Sequence, residues 1–151
     1  MPFRDRIDAA RRLAKGLERY AKDRPVVLAV PRGAVPMGEA IAQALGGDLE
    51  VVLVRKLRAP YNPEFAVGSI DEGGWSYIAP YAEAAGADAP YLEREKREQL
   101  ETLRARRASY TPGREPLPLE GRVAIVVDDG LATGATMVAA LHGIAARKPK
   151  R

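Results

Sequence analysis

The stretch Ala124–Thr136, AIVVDDGLATGAT, decides how the chain is read. Ala124, Ile125, Val126 and Val127 form a short apolar, mostly β-branched run, the pattern of a strand buried on both faces. Two adjacent carboxylates, Asp128 and Asp129, close it. A loop of small residues comes next, Gly130-Leu131-Ala132-Thr133-Gly134-Ala135-Thr136, and then an apolar helical pattern at Met137, Val138, Leu141, Ile144 and Ala145. In an open α/β sheet this order places a polar site at the carboxyl end of the strand. The N–H groups of Ala132 to Thr136 would converge on one point, joined by two hydroxyls and the positive end of a helix dipole. That is an anion site, most naturally for a phosphate.

A phosphate cradle beside two carboxylates does not suit a second anionic group, which the acids would repel. It suits a ligand with a phosphate at one end and hydroxyls at the other, such as a ribose 5-phosphate. Each carboxylate would accept a hydrogen bond from a ribose hydroxyl.

In these residues the stretch resembles the 5-phosphoribosyl-1-pyrophosphate (PRPP) signature of the type I phosphoribosyltransferases: an apolar strand, two acids, two further residues and a small Thr/Gly-rich loop. Gly130 departs from the pattern, since many members carry an apolar residue there. The resemblance implies an α/β fold, an open, mainly parallel, Rossmann-like sheet with flanking helices and a β-hairpin or flexible-loop insertion. It also implies transfer of ribose 5-phosphate from PRPP to a nitrogenous acceptor, a nucleobase being the expected one, with Mg²⁺ held mainly through PRPP and pyrophosphate released. Asp128 and Asp129 then take the ribose hydroxyls. Ala132, Thr133, Gly134, Ala135 and Thr136 surround the 5-phosphate, and Gly130 is a further substrate-binding position, at the wall beside the sugar or base.

Two upstream strand ends complete this reading. Val26–Val30 is a short buried strand that breaks into Pro31-Arg32-Gly33-Ala34. A helical pattern succeeds it at Val35, Met37, Ile41, Ala44 and Leu45, stopped by Gly46-Gly47. The glycine at position 33 would let backbone N–H groups approach an anion closely. In the family the corresponding loop grips the pyrophosphate of PRPP, so Arg32 and Gly33 are assigned there by resemblance. Val51–Val54 reads as the third strand, ending in Arg55-Lys56, two cations suited to neutralising the leaving group.

Elsewhere the grammar is simpler. Asp5 is the expected N-cap of a helix with a stripe at Ile7, Ala10, Ala14, Leu17 and Ala21. The segment 59–64 is turn-rich and expected to be mobile. Phe65–Ile70 and Trp75–Ile78 read as strands joined by a hairpin at Asp71-Glu72-Gly73-Gly74. By resemblance, residues 57–80 are the insertion and Arg58–Glu64 the tip or hinge of a loop that closes over the reacting centre and excludes water. From Tyr81 to Tyr110 the pattern is mostly helix, with a thin apolar stripe at Leu92, Leu100 and Leu103 and an i,i+4 pair at Glu93–Arg97. Its basic end, 104–107, is read as a solvated helix terminus in preference to an RNA-binding arm.

Composition bounds the alternatives. A chain of 151 residues is read as one domain, residues 1–151; only three parallel core strands are visible, so further C-terminal strands of the family are expected to be missing. Zero cysteines remove disulfides and thiolate chemistry and suit a reducing cytoplasm. No apolar run approaches the ~20 residues of a membrane span. The net charge of +4 is matched to a polyphosphate substrate in preference to nucleic acid, because basic residues alternate with acids. A homodimer is compatible with all of this. The chain has no G-x-x-x-x-G-K-[ST] and no G-x-G-x-x-G. The only histidine, His142, has no second histidine or cysteine for a metal site and is expected at a surface or between helices. The rival readings are a PRPP-binding regulatory domain without turnover and, on a similar sheet, a phosphatase.

Overall fold

The computed structural model describes residues 2–113, 115–131 and 134–151, with Ala135 described in its backbone alone. The chain forms two compact units, one of Met1–Val52, Pro116–Ala132 and Arg147–Arg151, the other of Leu53–Glu115 and Thr133–Ala146. No helix among the described residues is long and apolar enough to cross a membrane.

The first unit is the expected parallel sheet. Helix α1 (Arg6–Gly16) starts where Asp5 accepts a hydrogen bond from the Asp8 N–H at 2.8 Å, the anticipated N-cap. Strand β1 (Val26–Ala29) is buried throughout, leads into helix α2 (Val35–Leu45) and is succeeded by β2 (Asp48–Val51). Gly46 stops α2 at φ +65°, a left-handed conformation that glycine adopts without penalty. The signature strand β6 (Ala124–Val127) returns to pair with β1, so the sheet order is β2-β1-β6, all parallel. A core of small and branched residues, including Ala10, Ala14, Val27, Ala29, Met37, Ile41 and Val127, joins α1 and α2 to this sheet.

Two readings of this unit need correction. The third strand is residues 48–51 and not 51–54: polar residues occupy it because a sheet-edge strand tolerates them. Its Glu50 carboxylate is buried yet satisfied, accepting from the N–H groups of Val51 and Leu117, each at 2.9 Å. The signature strand, in turn, is buried on both faces only at Val127. Ala124, Ile125 and Val126 are half-buried, because β6 lies at an edge and β1 holds the centre.

The second unit is built on an antiparallel sheet, β3 (Val54–Ala59), β4 (Asn62–Asp71) and β5 (Ser76–Ile78), in that order. Within the turn-rich segment 59–64, Pro60-Tyr61 form a two-residue turn and Asn62–Glu64 belongs to β4. The second hairpin lies where the turn residues put it. Asp71 Oδ1 accepts from the N–H groups of Gly73 at 3.0 Å and Trp75 at 2.9 Å, and Gly74 takes φ +90°.

Helix α3 (Ala89–Tyr110) covers this sheet with a face that an apolar pattern does not disclose. Its buried residues are Glu95, Gln99, Leu103 and Arg107, spaced every four. The register of β3 against β4 is irregular at Arg58. There the Arg58 N–H turns to Glu95 Oε2 at 2.6 Å, and its carbonyl accepts from the Tyr91 hydroxyl. The Arg58 guanidinium grips the same Glu95 carboxylate with two hydrogen bonds of 2.9 Å. Arg55 donates to Gln99 Oε1 at 2.6 Å, and Arg107 makes a forked pair with Glu72. The helix is therefore docked by charge complementarity, and Glu93 pairs with Lys96 instead of Arg97.

Helix α4 (Ala135–Ala145) also packs on this sheet, through Ala139, Ala140, Gly143 and Ile144. Val138 and Leu141, expected to be inward, are exposed. Small residues explain the choice of face: a Cβ at Gly143 would lie 2.3 Å from Asp71 Oδ2, so only glycine permits that approach. His142 stacks on Trp75 with centroids 5.2 Å apart and an interplanar angle of 11°.

Burial pushes the Glu95 carboxyl up, but hydrogen bonds from Arg58 and Gln99 outweigh this and hold it below its ordinary value of 4.5. A carboxyl with a depressed value contributes stability above its ordinary pKa and loses it as pH falls through the folded value. Glu95→Ala is expected to lower unfolding free energy by about 2–3 kcal/mol, below the roughly 3–5 kcal/mol of a fully buried pair because the Arg58 side chain is 35% exposed. Urea denaturation at pH 7 and pH 3 checks this: the deficit should shrink at the lower pH.

Candidate functional site

Strands β1 and β6 run parallel in register, with Ala29 opposite Val127. Their carboxyl ends therefore leave the same edge of the sheet. The Val30 N–H donates to the Val127 carbonyl at 2.9 Å, continuing the ladder to the point where the two chains turn away. Beyond it β1 gives way to Pro31-Arg32-Gly33, with a cis Pro31–Arg32 peptide, and β6 gives way to Asp128-Asp129. This is the juxtaposition expected from the sequence for Arg32, Gly33 and the two acids.

The approach is close. A Cβ built on Gly33 would fall 2.1 Å from Asp129 Oδ2 and 2.7 Å from its Cγ. Any other residue at position 33 would displace the carboxylate. Asp129 is also held by Arg6, at the start of α1, whose guanidinium lies 2.9 Å from Oδ2. Arg6 was not legible from the sequence: it carries no motif and lies far upstream of the acids. Only the docking of α1 on the sheet brings it there.

Asp128 differs from its neighbour. Burial pushes its carboxyl above the ordinary value of 3.8; the Asp129 backbone N–H, donating to Oδ1 at 2.8 Å, pulls the other way, and the adjacent carboxylate adds to the rise. The site thus keeps a carboxylate that is costly to ionise, at a sheet edge where a ligand hydroxyl could donate to it.

The remaining candidates lie in the second unit. Arg55 and Lys56 are not at a parallel strand end; they belong to the antiparallel strand β3, because the third parallel strand ends at Val51. There they line a hollow of about 450 Å³ together with Thr136 of the signature and Phe65, Ser69 and Tyr81. The unit therefore brings three expected site residues, Arg55, Lys56 and Thr136, to one place. Each cation has a partner. Arg55 is on Gln99, and Lys56 Nζ lies 3.4 Å from the Glu64 carbonyl oxygen and 3.6 Å from its carboxylate.

Gly134 caps α4 at φ +82°, the left-handed conformation that explains a glycine at this point of the loop. Thr136 is exposed in the first turn of that helix. Ala132 and Thr133, two members of the expected phosphate cradle, lie outside the described residues. Gly130 stands open: a Cβ added there would meet nothing within 4 Å.

The raised pKa of Asp128 makes a signed expectation. A carboxyl whose folded pKa is raised destabilises the fold where it is ionised in both states, and the cost disappears as pH falls towards its ordinary value. Asp128→Asn should raise the melting temperature at pH 7, and the gain over wild type should vanish below about pH 4, near the ordinary value of 3.8. Calorimetric melts across this range measure it.

Residues 4–151 match the phosphoribosyl transferase domain family. Two proteins of Mycobacterium tuberculosis, from strains CDC 1551 and H37Rv, each named "Putative phosphoribosyl transferase", are 42% identical over 139 residues, 91% of this chain. The chain spans 31% of the length of these relatives. The crystal structure of TT1426 from Thermus thermophilus superposes with a TM-score of 0.84 at 47% identity, covering 100% of this chain and 72% of that one. The chain belongs to the phosphoribosyl transferase domain family.

Proposed function

We propose that the chain binds PRPP and transfers its ribose 5-phosphate to a nitrogenous acceptor, with release of pyrophosphate. The observation that carries this reading is the close approach of Gly33 to Asp129, which leaves no room for a Cβ, at the adjoining ends of β1 and β6. It puts a backbone-rich, cation-bearing turn beside two carboxylates, and PRPP needs both kinds of group.

In this reading Asp128 and Asp129 accept hydrogen bonds from the two ribose hydroxyls. Asp129 exchanges part of its pairing with Arg6 for the ligand, and Asp128 gains a donor for its half-buried carboxyl. The residues from Ala132 to Thr136 hold the 5-phosphate, with the N-terminal turn of α4 supplying N–H groups and dipole. Arg32 and Gly33 face the pyrophosphate, and Arg55 and Lys56 add positive charge as the C1–O bond opens. The protein's share of catalysis is positioning and charge neutralisation; no side chain is assigned a proton transfer.

Mg²⁺ fits the donor set only in company with the substrate. Among the described residues no group of three or more His, Cys, Asp or Glu side chains could hold a metal ion, whereas the adjacent acids Asp128 and Asp129 offer two. We place the ion on the phosphates of PRPP, where it would offset the charge of the leaving group. A nucleobase acceptor, a homodimer and a cytoplasmic setting belong to the same proposal.

Isothermal titration with PRPP and Mg²⁺ tests the donor half. Asp129→Asn should weaken PRPP about 10- to 100-fold, the range for one lost hydrogen bond to a charged group. Gly33→Ala should weaken it at least tenfold, since the added methyl displaces the same carboxylate. Wild-type affinity in both variants would remove the ribose role. A pyrophosphate-release assay with a panel of bases then separates transfer from binding alone.

A further inference from the structure

Three arginines stand between α3 and the sheet it covers, and one of them is held differently. Arg58 grips the Glu95 carboxylate and also reaches Glu98, and Arg107 pairs with Glu72. Arg55 has no carboxylate within ion-pair distance among the described residues; its Nε donates to the neutral amide oxygen of Gln99 at 2.6 Å. Gln99 is itself fixed: it is buried, and its Nε2 donates to Glu95 Oε1 at 3.4 Å. The terminal nitrogens of the Arg55 guanidinium are left without a protein partner among the described residues. Burial and the neighbouring Arg106 and Arg58 cations hold this guanidinium below its ordinary value, against the pull of Glu95, yet an arginine keeps its charge. Arg55 lines the hollow of about 450 Å³ in this unit.

We infer that Gln99 is a positioning residue: it orients the Arg55 guanidinium without neutralising it, and so keeps in this hollow a cation open to a phosphate-type anion. The inference rests on the proposed donor reading, in which that anion is the pyrophosphate end of PRPP. A carboxylate at position 99 would bind the guanidinium more strongly, as Glu95 binds Arg58, but would cancel the charge that the leaving group needs. An apolar side chain there would leave the charge and lose its direction. A guanidinium already ordered by Gln99 has less freedom to surrender when an anion arrives. Lys56, by contrast, has the Glu64 carboxylate 3.6 Å away. Gln99 carries no motif and lies 44 residues from the arginine it holds, so only the docking of α3 discloses the role.

The test is isothermal titration of the full chain with inorganic pyrophosphate and Mg²⁺, run on wild type, Gln99→Glu, Arg55→Gln and the double variant. Gln99→Glu should weaken pyrophosphate at least about tenfold, and the loss should vanish in the Arg55→Gln background, because the substitution acts only through that cation. Thermal melts confirm that each variant folds. Should Gln99→Glu fail to fold, its added charge lying beside Glu95, Gln99→Met runs the same cycle. It keeps the length of the side chain, removes the acceptor and should cost about 3- to 10-fold. Unchanged affinity in the Gln99 variant, an equal loss with and without Arg55, or absence of pyrophosphate binding by the wild type would overturn the inference. A parallel titration with PRPP separates it from the donor reading. PRPP binding that ignores Gln99 and Arg55 would overturn the inference and leave that reading standing. Pyrophosphate binding that depends on Gln99 in a protein that fails to bind PRPP would uphold the inference and overturn the donor reading instead.

Discussion

The structure depends on the parallel pairing of β1 with β6. These strands are far apart in sequence, yet the register that sets Ala29 against Val127 brings the Arg32-Gly33 turn against the Asp128-Asp129 pair. Parallel strands buried by helices must be nearly continuous in apolar residues, and β1 is. Polar groups are then confined to the strand ends, where the backbone leaves the ladder. The chemistry of this unit collects at that edge for the same reason that its core is dry. Gly33 marks how tightly the edge is drawn: there is no room for a side chain between the turn and the carboxylate.

The second unit solves a different problem by different means. A three-stranded antiparallel sheet has little core of its own, and the helix laid across it is poor in apolar residues. Charge replaces hydrophobic area. Arg58 with Glu95, Arg55 with Gln99 and Arg107 with Glu72 dock α3 on the hairpins. Buried pairs of this kind add little net stability over an apolar core, but breaking one is costly, so they favour a single register of helix on sheet. A fixed register matters here because Arg55 and Lys56 are neighbours on β3. The tether that holds Arg55 to Gln99 also sets where the strand carries Lys56.

The legible and illegible parts of the sequence divide along the same line. The parallel unit announced itself through apolar runs ended by glycine, proline or acids, and Arg32, Gly33, Asp128 and Asp129 sit at strand ends as expected. The Asp71 hairpin was legible because its turn chemistry is local. The start of the third strand is hidden in the sequence because Asp48 and Glu50 are polar, and the partner that satisfies Glu50, the Leu117 N–H, is distant in sequence. The buried face of α3 was missed for a related reason: a helix whose inward residues are Glu, Gln and Arg shows no hydrophobic periodicity, and its burial depends on cations carried by another element. On α4 the larger side chains drew attention, whereas alanines and a glycine set the contact by letting the sheet come close. Arg6, Phe65 and Tyr81 reach their positions through tertiary packing alone.

The central claim is that the donor is held where β1 and β6 end. Amide chemical-shift mapping with Mg²⁺ and PRPP tests it most directly. The account expects saturable shifts concentrated at Gly33 and at Asp128 to Gly130, reduced in Asp129→Asn. Saturable binding that leaves these amides unmoved, or no binding at millimolar PRPP, would contradict it.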